Sequence, residues 1–119
     1  MQVFHGSHAG TKEGFIGICL TESPMSAWVY GGRANAQSIM ITSLCLAGLQ
    51  VKEVNGYNRD DNDAPGDDGN THGADVLIFD DEDEDGREHT TYRLMTQAAV
   101  DALTIKNVMT GEDFEEGYL

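Results

Sequence analysis

Three stretches of this 119-residue chain hold side chains suited to chemistry. Phe4-His5-Gly6-Ser7 sets an imidazole, a residue without Cβ and a hydroxyl side by side. Residues 20–30 (LTESPMSAWVY) carry the Thr21 and Ser23 hydroxyls into a short helix that ends at Tyr30. Residues 80–88 (DDEDEDGRE) offer a run of carboxylates, with Asp81 near one end and Glu88 at the other. Each alone also has a plain structural reading: a turn, a packed helix, a solvated hairpin tip. Asp81-x-Asp83-x-Asp85-Gly86 imitates the opening of a calcium loop. An EF-hand, however, needs a bidentate carboxylate at its twelfth position and an apolar residue at its eighth, and Tyr92 and Glu88 stand there. No His/Cys spacing suggests zinc, so no metal site is expected.

In this order, the stretches resemble the mono-ADP-ribosyltransferase superfamily, in its branch with a His–Tyr–Glu arrangement. The matching segments are FHGS (4–7), GFIGICLTESPMSAWVYG (14–31), GADVLIF (73–79) and REHTTYRLM (87–95). The layout is similar to that of small phage-encoded anti-CRISPR members of the superfamily, from which this chain departs in a longer acidic hairpin and a different middle.

The resemblance implies a reaction that breaks the bond between nicotinamide and ribose in NAD, with NAD as substrate rather than resident cofactor. Positive charge develops on the sugar, so a carboxylate must stand beside it and can also deprotonate the incoming nucleophile. Glu88 is the first expectation for that group, and Asp81 the second should the hairpin register shift. His5 would bond a ribose hydroxyl, and the Gly6 backbone would read the nicotinamide amide, approached closely because glycine has no Cβ. Ser7, Thr21 and Ser23 would supply further hydrogen bonds. Tyr30 would stack on the nicotinamide, with Trp28 or Phe15 as substitutes. Lys12 or Arg33 would face the pyrophosphate.

The elements that must position these groups read as follows. Residues 3–4 read as a short apolar start before a turn, and 15–20 as a buried strand or extended segment. Ser23 caps a helix over 24–30 with Pro24 at its first position, and Gly31-Gly32 stops it. Residues 34–38 could add a turn. Strands are expected at 39–46, 49–54, 76–79, 89–95 and 105–109, an acidic turn at 80–86 and a helical turn at 98–103. The sum is an α+β domain over residues 1–110, with five or six short strands in an antiparallel or mixed sheet and one or two short helices. Residues 55–72 read as a long polar loop and 111–119 as an acidic tail.

Net charge is −14, and residues 59–88 alone hold 13 acids against Arg59 and Arg87. Such a field repels nucleic acid, so direct nucleic-acid binding is not expected. A basic protein surface is the complementary partner, as the acceptor of ADP-ribose or as the target of a non-catalytic acidic inhibitor or nucleic-acid mimic; an NAD glycohydrolase is a third reading. No apolar run approaches the roughly 18 residues of a membrane span, and no signal peptide is visible in MQVFHGSHAG. Cys19 and Cys45, each among apolar neighbours, read as reduced core residues. A cytoplasmic protein is expected, in the host cytoplasm if phage-encoded.

Overall fold

The computed structural model describes residues 1–7, 14–56 and 64–119. Among the described residues, seven strands form one mixed sheet: β1 (Gln2–Ser7), β2 (Cys19–Thr21), β3 (Ser38–Leu44), β4 (Val51–Glu53), β5 (Val76–Glu82), β6 (Glu88–Leu94) and β7 (Leu103–Met109). Their order is β4-β5-β6-β2-β1-β3-β7, with only the β4–β5 pair parallel. Three short α-helices accompany them: α1 (Pro24–Gly31), α2 (Gln97–Asp101) and α3 (Gly111–Tyr118). The fold is thus α+β as expected, with one or two strands and at least one helix more than the sequence reading counted.

Helix α1 begins where the cap signals place it. The Ser23 hydroxyl accepts from the Ser26 amide at 3.0 Å, Pro24 starts the helix, and Gly32 ends it in the left-handed region at φ 106°. The expected strand over 15–20 shortens to Cys19–Thr21. A turn replaces its first half, with the Ile18 amide on the Phe15 carbonyl and Gly17 at φ 92°. The extra turn after α1 is the 3-10 segment Arg33–Asn35.

The acidic turn is tighter than its composition suggests. Strands β5 and β6 run on to Glu82 and Glu88, so Asp81 pairs with His89 and Glu82 with Glu88. Asp83 closes the tip by accepting from the amides of Asp85 (2.9 Å) and Arg87 (3.0 Å). An aspartate able to bond its own backbone two residues on makes a turn without extra length.

The segment read as an acidic tail is helix α3, and it belongs to the core. Thr110 caps it, and Glu112 and Asp113 sit in its first turn, where the helix dipole favours acids. Phe114 is fully buried among Phe4, Ala27, Ala36, Ile39 and Ile41. Its ring stacks on Tyr118 one turn later (centroids 4.9 Å) and meets Phe4 edge-on at 5.7 Å. Gly111 is required at the start: a Cβ there would fall 1.8 Å from the Arg33 carbonyl oxygen. Of the cysteines, Cys19 is half-buried while Cys45 is exposed, so only the first fits the core reading. Residues 57–63 of the expected acidic loop lie outside the described residues.

Two further clusters complete the interior. Val3, Leu20, Leu44, Val76, Tyr92 and Leu94 pack with Ala99 of α2, and Ala74, Leu77, Phe79 and Met95 form the third. Truncating Phe114 to Ala should cost about 3 kcal/mol, because it empties a ring-sized site that the packed neighbours refill only in part. Urea unfolding of Phe114→Ala measures this; a loss below about 1 kcal/mol would mean that α3 is an appendage.

Candidate functional site

Strands β1 and β2 touch at a single register pair, Phe4 with Thr21. Continuing that register would set Gly6 against Cys19 across the seam. Instead, the His5 imidazole crosses, and its Nδ1 donates to the Cys19 carbonyl at 2.7 Å. A carbonyl only accepts, so Nδ1 carries a proton. The sheet opens beyond this point, and α1 roofs the opening.

The roof sits close because glycine faces glycine. A Cβ on Gly6 would lie 2.1 Å from the Ala27 carbonyl oxygen and 2.8 Å from the Gly31 amide nitrogen; one on Gly31 would lie 3.2 Å from the Gly6 Cα. Gly6 does line the opening, but the space beside it is taken by helix backbone. Its missing Cβ is therefore needed for packing, a different reason from the ligand approach expected from sequence.

Between β1, β2, β5, β6 and α1 lies a cavity of about 230 Å³. It is lined by Phe4, His5, Gly6, Cys19, Leu20, Thr21, Ala27, Tyr30, Asp81, His89 and Thr91. Phe4, Leu20, Thr21, Ala27, His89 and Thr91 are its buried members, whereas Tyr30, 37% exposed, stands at the mouth. The volume suits one ring with part of a sugar. A drug-sized ligand needs about 300 Å³ or more, so the remainder of a dinucleotide would extend over the surface.

His89 organises the mouth. One ring nitrogen meets the Tyr30 hydroxyl at 2.8 Å and the other the Thr21 hydroxyl at 2.8 Å. Tyr30 also donates to the Glu82 carbonyl at 3.3 Å, and Thr21 accepts from the Ser23 amide at 3.1 Å. With its one proton given to the Glu82 carbonyl, Tyr30 accepts from the His89 Nε2–H, and the Thr21 hydroxyl donates to Nδ1, so the network sets the tautomer. Sequence reasoning passed over His89. Its signal is strand alternation: once Glu88 opens a strand pointing outward, residues 89, 91 and 93 share the opposite face.

Of the two expected carboxylates, Asp81 lines the cavity and Glu88 does not. Glu88 is exposed at the outer end of β6, paired in register with Glu82. One Asp81 oxygen accepts from the Glu82 amide at 2.7 Å, which orients the carboxylate. Cys19 is the other acidic group in the lining. Burial pushes its thiol up to about 11, against the pull of Arg93 and with a further push from Asp81, so it stays protonated at neutral pH. Asp81 is the carboxylate of the lining.

Of the remaining candidates, Thr21 and Tyr30 line the cavity. Ser23 is the α1 cap and, like Ser7 at the end of β1, lies outside the lining. Trp28 donates its indole N–H to the Gly111 carbonyl at 3.1 Å and packs toward α3, while Phe15 belongs to the turn before β2. Arg33 is engaged by Asp85 at 2.8 Å and Glu84 at 3.9 Å, so its charge is directed to the hairpin. Lys12 lies outside the described residues.

The hairpin is tied to the roof through Asp83, whose side chain is fully buried. The Ser26 hydroxyl of α1 donates to it at 2.9 Å and the Arg87 guanidinium at 3.0 Å. Burial pushes its carboxyl up, but together the Arg87 amide, the Ser26 hydroxyl, the Asp85 amide and the Arg87 guanidinium outweigh that and hold it below the usual carboxylate range. A lowered folded value gives stability that is complete above the unfolded value of about 3.9 and fades as pH falls through the folded one. Asp83→Asn should therefore lose about 2 kcal/mol at pH 7, where the charged hydrogen bonds are lost. The gap between variant and wild type should narrow below about pH 4. Urea unfolding from pH 7 to 2.5 tests both; a gap independent of pH would show that charge is not what Asp83 contributes.

No protein-family model, curated protein or solved structure matches this chain.

Proposed function

We propose that the cavity receives the nicotinamide end of NAD and that the protein transfers ADP-ribose to a protein acceptor. The observation that carries this reading is the convergence of His5, Thr21, Tyr30 and Asp81, far apart in sequence, on one cavity at the β1–β2 seam. A hydroxyl-bonding imidazole, an aromatic ring and a carboxylate are the groups that the family resemblance implies for cleaving the N-glycosidic bond of NAD.

In this reading the nicotinamide enters beside Tyr30, and the His5 imidazole bonds a ribose hydroxyl. The bond between the ribose C1′ and the nicotinamide nitrogen breaks. Its electron pair passes to the pyridinium ring, which leaves neutral. Asp81 stabilises the positive charge growing on the sugar, where a fixed carboxylate acts most strongly in a partly buried site. An acceptor atom then bonds C1′, and its proton passes to Asp81. His89 keeps Tyr30 in position from behind.

Acceptor recognition falls to the hairpin. Glu84 and Asp85 at its tip have side chains 72% and 47% exposed, close in sequence to Asp81. A basic protein surface is the complementary partner, attracted in a salt-dependent way. No described helix is long and apolar enough to cross a membrane. A bacterial cytoplasmic acceptor in a phage setting is supported by the family resemblance alone.

Incubation with labelled NAD and bacterial lysate tests the reading. Label should move onto a protein. Asp81→Asn should lower transfer at least a hundredfold, within the usual reach of a positioned acid–base group of about 10²–10⁴, while Glu88→Gln should retain most of it. Free ADP-ribose without protein labelling would make the chain a glycohydrolase, and intact NAD would leave a non-catalytic acidic binder.

A further inference from the structure

Among the described residues, one buried side-chain polar atom has no hydrogen-bond partner: Thr91 Oγ1. Thr91 is 2% exposed and lines the cavity. It lies opposite Thr21 on β2 and Phe79 on β5 in the sheet register. The contrast with Thr21 is informative. Both threonines line the same cavity, but Thr21 is committed to His89 and to the Ser23 amide, whereas Thr91 has neither.

A hydroxyl taken out of water without a partner is costly, and native proteins satisfy nearly all such groups. A threonine in mid-strand is also easily replaced by valine, which has the same shape and no such cost. An orphan of this kind on a residue that lines a cavity is accounted for by a group that arrives with the ligand.

We propose that Thr91 is a specificity-determining residue. Its hydroxyl bonds the polar substituent of a small planar ring held in the buried part of the cavity, and so selects a carboxamide-bearing ring over one of equal shape that lacks the polar group. The proposal rests on the reading of the cavity as the nicotinamide site and names the side chain that discriminates there. The surroundings suit a ring: Phe4, Leu20 and Ala27 give apolar walls. Such a site rejects an analogue without the hydrogen-bonding group because that analogue leaves the protein's own polar atom unpaired.

The test compares nicotinamide with 3-methylpyridine, in which a methyl replaces the carboxamide, by NMR titration of wild type, Thr91→Val and Thr91→Ser. Wild type should prefer nicotinamide by about tenfold, the worth of one buried hydrogen bond. Thr91→Val should bind both probes alike, and Thr91→Ser, which keeps the hydroxyl, should restore the preference. Without ligand, Thr91→Val should melt no lower than wild type, since it removes an unpaired group without opening a cavity. Nicotinamide binding with an unchanged preference in Thr91→Val would overturn this inference and leave the NAD reading standing. Failure of wild type to bind either NAD or nicotinamide would overturn both.

Discussion

The close approach of α1 to β1, made possible by Gly6 and Gly31, is the constraint on which the site depends. Where the helix backbone presses against Gly6, a Cβ would collide with the Ala27 carbonyl. The helix therefore lies over the end of β1, beyond the single Phe4–Thr21 pair that joins the halves of the sheet. Each half is well paired elsewhere: β1 runs with β3 over six residues and β5 with β6 over seven. The seam is thus a local opening in a sheet that both sides hold firm, and the imidazole of His5 bridges it where the backbone ladder stops.

The acids divide by function once they are placed. Asp83 is consumed in folding the hairpin tip and fastening it to α1, so one of the most buried charges in the molecule is structural. Glu112 and Asp113 face a helix N-terminus. Asp67 is gripped by Arg93 at 2.6 Å, and that hydrogen bond, aided by one from the Ala64 amide, holds its carboxyl below the usual range. Arg93 also donates to the carbonyls of Gly17 and Pro65, joining the turn before β2 to the segment before β5. Asp81 remains as the carboxylate that lines the cavity. A composition that reads as one negative cloud thus separates into caps, a turn, an anchor and a candidate reactive group.

Much of the framework was legible because its signals are local. Ser23-Pro24 and Gly31-Gly32 bound α1 nearly to the residue, and the apolar runs at 39–44 and 76–79 mark β3 and β5. What escaped depends on partners distant in the chain. Phe114 is one apolar residue among acids, and only the pocket formed by Phe4, Ala27 and Ile39 makes its segment a core helix. The reach of β5 and β6 to Glu82 and Glu88 is set by Asp83 turning the tip, which moves the inward positions onto Asp81 and His89. The sequence reading named Asp81 second and omitted His89 because facing follows from hairpin register, and a tip of six acids and one glycine does not declare its register. Gly6 was singled out for the approach of a ligand, whereas its missing Cβ is explained by the helix above it.

The central claim is that the seam cavity is where NAD is held, with the bond to be broken beside Asp81. A crystal structure of the Asp81→Asn variant, slowed in turnover, soaked with NAD tests it most directly. The expected map has the nicotinamide between Tyr30 and Thr91, the ribose hydroxyls at His5, and the glycosidic carbon facing residue 81. Density for the dinucleotide elsewhere on the molecule, with the seam cavity occupied only by water, would contradict the account.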